Sequence, residues 1–369
     1  MKRILFVSNH AGFMKFNAPY IQWLSSEGYA VDNVSPGVED SYKDVVSKHF
    51  DVNISRNPLS YSNIKAIFQV RRILKNNKYE LIHCHTPMGA VVARLAAIGM
   101  NVKVLYTVHG YHFYKNGPWL GWFLYYPIER ALRFRTDYLV TINQEDFEFA
   151  QTHRMSISKP YKINGVGFRP QFSMLNLDEK KILRQNMGFD DDEYIVLYTA
   201  QFIKRKNHEF IIECIPSLLK EIKKIKLVFV GNGELFMKIK EKVSANHLDD
   251  CVIFMGGRND VYKFCQIADI YISSSLQEGL CVSNLEAMAC GLPLVLSNIR
   301  GQKDVCTNGV NGFLYDIGDK EKFINSIIEL WKNPTICKKI SNKNLSDVKK
   351  FSLENSLKDM TKIYKEILT

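Results

Sequence analysis

Short apolar runs alternate with amphipathic stretches along this chain. The runs at 3–8, 30–35, 81–85, 103–108, 138–142 and 161–163 are rich in β-branched and aromatic residues and predict strands. Between them, apolar residues recur at helical spacing over 17–27, 64–75, 89–99, 120–135 and 145–153. A polar, acidic stretch at 175–193 interrupts the pattern with one short helix. The alternation then restarts, with strands predicted at 194–199, 226–230, 252–255, 270–273, 294–297 and 312–315. Their helices fall near 208–220, 235–246, 261–267, 283–290 and 321–331, and an amphipathic helix follows at 353–369.

Repeated βα units predict parallel sheets covered by helices on both faces. The expectation is therefore an α/β chain of two doubly wound, Rossmann-like domains, 1–172 and 173–352. The linker is placed near 165–180, and the helix at 353–369 is a candidate to pack back on the first domain. Ligands of such sheets bind at the carboxyl ends of the strands. Two domains facing across a cleft would put the site between them. There is no internal repeat or low-complexity segment.

Composition narrows the class without naming it. The chain has 369 residues, 46% apolar and 24% charged, which excludes disorder, collagen and coiled coil. Lys and Arg number 49 against 38 Asp and Glu, a net charge of +11. Residues 1–177 hold 21 basic and 12 acidic residues, a net +9, and the remainder 28 and 26, a net +2. The basic bias belongs to the first half, and it attracts nucleic acid, anionic lipid or phosphorylated substrates. The eight cysteines are scattered singly, several in apolar runs, as expected of buried free thiols in a reducing compartment. The apolar stretch at the N-terminus is too short for a signal peptide, and no 18-residue apolar run exists. The expectation is a soluble, cytoplasmic protein that meets a membrane only at its surface.

One segment carries the strongest chemical signal, "SSSLQEGLCVSNLEAMACGLPLVLSN" at 273–298. Ser283 and Glu286 have capping-box spacing, which predicts a helix starting at Ser283; Gly291 and Pro293 end it. The amides of Leu280, Cys281 and Val282 then lie at a helix N-terminus, a place suited to phosphate. Gly279 lets backbone approach a ligand. Glu278 and Glu286 flank this anion site, where carboxylates make sense as acceptors from sugar or ribose hydroxyls.

This spacing, with seven residues between the two glutamates, resembles the E-x7-E motif of retaining GT-B glycosyltransferases of family 4. The first half is similar to a bacterial group acting in capsule and exopolysaccharide assembly, through "HTPMGAVVARLAA", "YTVHGYHFYKNGPW", "YYPIERALRFRTDYLVTINQED" and "INGVGF". The resemblance implies a GT-B fold and a role for each matching residue. Glu286 would hold the ribose hydroxyls, Glu278 would face the donor sugar, and amides 280–282 would meet pyrophosphate or sugar. In "QFIKRKNH" (201–208) Lys206 stands at the phosphate-binding lysine place, while Gln201 stands where the family has arginine, so the second cation would be Arg205 or Lys204. Gly12, in "SNHAG", would admit the diphosphate to backbone; Arg258 would lie near the base; His109, ending a strand, would contact the donor sugar.

The implied activity is transfer of a hexose or N-acetylhexosamine from a nucleotide sugar, UDP-linked, to a lipid-linked saccharide, with retention by front-side attack. Lys206, neighbouring cations and helix amides would stand in for a metal ion, so no cofactor is expected. His83 and His85 alternate on one strand without a third ligand and read as structural. The aromatic, basic segment 111–135 reads as a helix packed on its sheet, or as a face toward an anionic membrane and the lipid-linked acceptor. That places the protein peripherally at the inner face of the cell membrane. Nucleic acid is not an expected partner. Two rival functions are a sugar-nucleotide epimerase of similar architecture and a non-catalytic nucleotide-sugar-binding subunit.

Overall fold

Two all-parallel sheets order the chain. The computed structural model describes residues 2–115 and 117–368. Strands β1 (Arg3–Val7), β2 (Ala30–Ser35), β3 (Lys48–Asp51), β4 (Leu81–His85), β5 (Lys103–Val108), β6 (Tyr138–Thr141) and β7 (Tyr161–Lys162) form one sheet in the order β3-β2-β1-β4-β5-β6-β7. Strands β8 (Tyr194–Thr199), β9 (Ile225–Val230), β10 (Val252–Phe254), β11 (Ile270–Ser273), β12 (Leu294–Ser297) and β13 (Gly312–Tyr315) form the other, ordered β10-β9-β8-β11-β12-β13. Central strands are buried because helices cover both faces, and most are apolar: Ile4 to Val7 and Ile270 to Ile272 are fully buried. Strand order reverses between β1 and β4 in the first sheet and between β8 and β11 in the second. Loops diverge at such points, leaving room for a ligand at the carboxyl edge.

The chain divides into a unit of residues 1–167 with 354–369, and a unit of 168–353. The crossing thus falls five residues before the expected 172/173 boundary. The reason is packing: Phe172 is buried in the second unit's core and Phe168 lies against it. The helix Leu353–Leu368 belongs with the first unit. Its buried stripe, Met360, Ile363, Tyr364 and Ile367, recurs at three to four residues. Two hydrogen bonds fix its start, since Ser356 Oγ meets Tyr20 Oη at 2.6 Å and donates to the Gly165 carbonyl at 2.7 Å. Further along, Tyr364 Oη meets His83 Nδ1 at 2.6 Å, and Thr107 Oγ1 meets the other ring nitrogen at 2.8 Å.

One strand and one α-helix were not foreseen. The edge strand β3 is short and half-exposed, and an edge needs no apolar run. The helix Pro334–Asp347 buries only Ile340 and Asn344, too few residues to leave a pattern. The cysteines are all free, seven of them buried. No helix among the described residues is long and apolar enough to cross a membrane.

Candidate functional site

The second unit gathers its chemistry at the carboxyl ends of β8 and β11, astride the switch point. After β8 the chain makes a 3-10 turn, Lys204–Lys206, and passes through Asn207 at φ +51° into the helix His208–Glu221. Only asparagine, aspartate and glycine take that left-handed backbone readily. The turn is pinned from below. Tyr198 Oη donates to the Lys206 carbonyl at 2.8 Å, Ser274 Oγ to the same oxygen at 2.9 Å, and the Leu276 amide to the Arg205 carbonyl at 2.8 Å.

So held, Lys206 sends its ammonium to Glu278 Oε1 at 2.5 Å, and Arg205 reaches Glu278 Oε2 at 2.9 Å. Cys281 Sγ lies 3.9 Å from Lys206 Nζ. Lys206 and Glu278 are 8% and 7% exposed, so the pair sits in low dielectric, where its mutual attraction is strong. Burial alone would raise the Glu278 carboxyl. The charges of Lys206 and Arg205 outweigh burial and hold it below the usual carboxylate range. Burial likewise pulls Lys206 down, but the Cys281 sulfur, when ionised, and the Glu278 carboxylate lift it above the ordinary lysine value. The Cys281 thiol is itself pushed up by burial and is uncharged near pH 7. Glu278 is therefore what keeps Lys206 protonated. Two cations on one carboxylate leave a local charge of +1.

The loop that carries Glu278 is buttressed from behind. Arg300 Nε donates to the Glu278 carbonyl at 3.2 Å. Gly301, at φ +78°, passes so close that a Cβ there would stand 2.3 Å from the Gly279 carbonyl oxygen. The following helix runs Val282–Ala289, with Cys281 as its N-cap and no side-chain cap. This corrects the expected start at Ser283: the N-cap place falls to Cys281, and Ser283 lies inside the first turn. Glu286 falls in the second turn, and the first turn has no acid. Gly291 ends the helix at φ +75°, as expected.

The remaining expected residues lie elsewhere. Arg258 is exposed and turned to Asp260, with two 2.8 Å hydrogen bonds. Lys204 is exposed, and Arg205 is the cation that joins Lys206 on Glu278. Gly12 and His109 belong to the first unit. Gly12 sits in the turn Ala11–Phe13, where a Cβ would press on the His10 ring at 3.0 Å and on Glu39 Oε1 at 3.1 Å. His109 follows β5, packs edge-on against Phe13, and meets His85 Nδ1 through its Nε2 at 3.1 Å. Burial lowers the His109 ring to about 3, so at neutral pH it offers a hydrogen bond and no charge. His85 Nε2 is buried without a partner. Sequence reading missed three residues here. Arg300 is one. Asn284 is fully buried with neither amide atom partnered, and His208 Nε2 is buried and unpaired with its ring stacked on Phe202. The only signal was position, since Asn284 lies on the motif helix and His208 two residues past Lys206.

The chain is similar to known glycosyltransferases in sequence and fold. A family model described as glycosyl transferases group 1 matches residues 179–347, and one described as glycosyl transferase 4-like matches 3–143. EpsD of Bacillus subtilis (strain 168), named as a glycosyltransferase, is 34% identical over 98% of this chain and 96% of its own length. An Escherichia coli protein is 25% identical over 87% of this chain and 84% of its own, and is named as a UDP-Gal:alpha-D-GlcNAc-diphosphoundecaprenol alpha-1,3-galactosyltransferase. The crystal structure of Anabaena Alr3699/HepE in complex with UDP and glucose superposes with a TM-score of 0.80 over 99% of this chain and 100% of that one, at 15% identity, a likeness of fold.

Proposed function

Because the chain belongs to the group 1 glycosyltransferase family, we propose that it transfers a hexose or N-acetylhexosamine from a UDP-sugar to a lipid-linked saccharide during polysaccharide assembly. The chain is a glycosyltransferase; its donor, acceptor and stereochemistry are the content of the proposal. One observation carries it: a buried Lys206–Glu278 pair, joined by the part-exposed Arg205 to give a net positive charge, beside a helix N-terminus with no side-chain cap at the switch point. That arrangement suits a diphosphate joined to a sugar.

The chemistry demanded of the site is departure of a nucleoside diphosphate from an oxocarbenium-like carbon. Negative charge grows on the leaving oxygen, and preorganised donors aimed at it lower the barrier most. Lys206, Arg205 and the amides near Leu280, Cys281 and Val282 are the donors this reading assigns to the phosphates, so it needs no metal ion. Glu278 keeps Lys206 charged and offers its own oxygens to sugar hydroxyls. Glu286 is assigned to the ribose, Arg258 to the base, and His109 and Gly12 of the first unit to the donor sugar and diphosphate. Retention follows if the leaving phosphate accepts the proton of the incoming hydroxyl on the same face. Working on a lipid-linked acceptor, the protein would sit peripherally on the anionic inner face of the cell membrane.

Thermal-shift titration against a panel of nucleotide sugars identifies the donor, since a bound ligand stabilises by RT ln(1 + [L]/Kd). Radiolabelled donor with membrane lipid extract then reads transfer. Lys206→Ala is expected to lower kcat by about 10²–10³. Full activity in that variant overturns the assignment. Donor epimerised without acceptor would make the protein an isomerase, and donor binding without transfer would leave only a binding subunit.

A further inference from the structure

The first sheet gathers histidines at the carboxyl edge of its switch point. His83 and His85 alternate along β4, and His109 directly follows β5. Both ring nitrogens of His83 are paired, one with Tyr364 Oη and the other with Thr107 Oγ1. His85 is only half satisfied. Its ring is enclosed by those of Phe6, Phe13 and His83, with centres 5.8, 5.4 and 4.1 Å away. Nδ1 meets His109 Nε2 at 3.1 Å, while Nε2 is buried with no partner among the described residues. A buried polar atom left so is costly and calls for a reason.

The backbone beside His85 is strained. Thr86 stands at φ +63° and ψ 147°, a region that β-branched residues avoid and that glycine normally fills. Its Oγ1 accepts from the Asn9 amide at 3.2 Å and donates to the His85 carbonyl, which ties the end of β4 to the loop after β1. Gly89 leaves room for this crossing: a Cβ there would stand 2.8 Å from Thr86 Oγ1 and 2.9 Å from Ser8 Cα. Strain of this kind persists only where the surroundings over-determine it, and it gathers at functional sites. Here it turns the chain into the helix Pro87–Ala96 immediately after His85, so the strand ends with that imidazole beside His109.

Both rings are neutral at pH 7, because burial lowers His109 to about 3 and His85 well below its ordinary value. Each therefore carries one ring proton, and the bond between them admits two arrangements. With the His85 proton on Nε2, a buried N–H would have no acceptor. With it on Nδ1, that N–H donates to His109 Nε2, and only a lone pair is stranded. Buried orphan N–H groups are the rarer of the two. His109 then holds its own proton on Nδ1, the nitrogen left for a ligand, and its side chain is partly exposed. We propose that His85 is a positioning residue for transfer, donating to His109 and so fixing it as a hydrogen-bond donor to an oxygen of the donor sugar. The role rests on the assignment of His109 to that sugar and adds the polarity of the contact: His109 reads a lone pair, on a hydroxyl or a carbonyl.

Nitrogen NMR of the full chain with isotope-labelled histidine reads each ring's tautomer, and His109→Gln assigns the signal. Wild-type His109 is expected with its proton on Nδ1; a proton on Nε2 overturns the proposal without any further variant. His85→Phe keeps a flat ring and loses the donor. Both His109 tautomers are then expected to appear, and kcat/KM is expected to fall about tenfold, read with UDP-glucose, UDP-galactose and their N-acetylamino forms. The thermal shift given by UDP alone should hold while that given by the UDP-sugar shrinks. His85→Asn is expected to restore tautomer and turnover, since its amide N–H can take the place of Nδ1. Wild-type turnover in His85→Phe overturns the proposal, and so do equal losses in both variants with the His109 tautomer unchanged. The tautomer is read without any sugar present, so failure of the functional reading and failure of this one are distinguishable.

Discussion

Lys206 is a buried amine that stays charged because a single carboxylate faces it. At the scale of residues, that pairing is a pH device as well as a site. Glu278 is held low, so its stabilisation is present above the ordinary carboxylate value and is lost as pH falls through its own. Lys206 is held high, so its share persists until strongly alkaline pH. The larger acid sensitivity comes from histidines. Burial lowers His83 to about 3 and His208, beside the Lys206 charge, to about 3; His85 is lowered well below its ordinary value, again mainly by burial. Each native ring refuses a proton that the unfolded chain accepts below about pH 6.5. Unfolding free energy is therefore expected to fall as pH drops from about 6.5 towards 3, by up to about 1.4 kcal/mol per pH unit for each ring. Urea denaturation at stepped pH measures it. A stability that stays flat from pH 7 to 5 would show that these rings protonate in the folded state.

At the scale of elements, helices are positioned by polar ties as much as by apolar packing. Arg94 on the helix Pro87–Ala96 grips Glu129 on the helix Trp119–Leu132 with two hydrogen bonds, and its guanidinium lies 4.6 Å from the Tyr106 ring centre. Both side chains are buried. Such a pair contributes little net stability over an apolar match, but removing one partner strands a buried charge. Glu129→Ala is expected to cost about 3–5 kcal/mol in denaturant unfolding, whereas a joint Arg94→Met/Glu129→Leu replacement should recover much of that loss. A single-variant cost below about 1 kcal/mol would mean that water reaches Arg94.

Element identity was legible where burial is two-sided. Most central strands are apolar runs, and their places along the chain can be read directly. The edge strand β3 and the helix Pro334–Asp347 bury too little to leave such a trace. The start of the helix Val282–Ala289 was misplaced by one residue at its first turn. Ser283 has capping spacing to Glu286, but the backbone turns into helix at Cys281, where the Asn284 amide already bonds the Cys281 carbonyl.

At the scale of the whole molecule, the chain leaves the first unit at 167 and returns to it at 354. The returning helix Leu353–Leu368 covers Tyr20 and His83, so the first unit is finished only by residues nearly 200 positions away in sequence. Truncation after Leu353 is expected to lower the first unit's melting temperature and open it to protease, with the second unit's core intact. Limited proteolysis with mass spectrometry reads this, and an unchanged cleavage pattern would contradict the structural role of Ser356 and Tyr364.

The apolar code alone determined two parallel α/β units, because strands buried on both faces and amphipathic helices each write their period into the chain. Motif likeness pointed to Lys206, Glu278 and Glu286, because a loop that serves a helix N-terminus is local in sequence. Only tertiary structure decided that Lys206 and Arg205 share one carboxylate 72 and 73 residues away, that Arg300 braces the loop from behind, and that His85 meets His109. The pairing of charges and of hydrogen bonds depends on which distant segments meet, and residue spacing does not encode that.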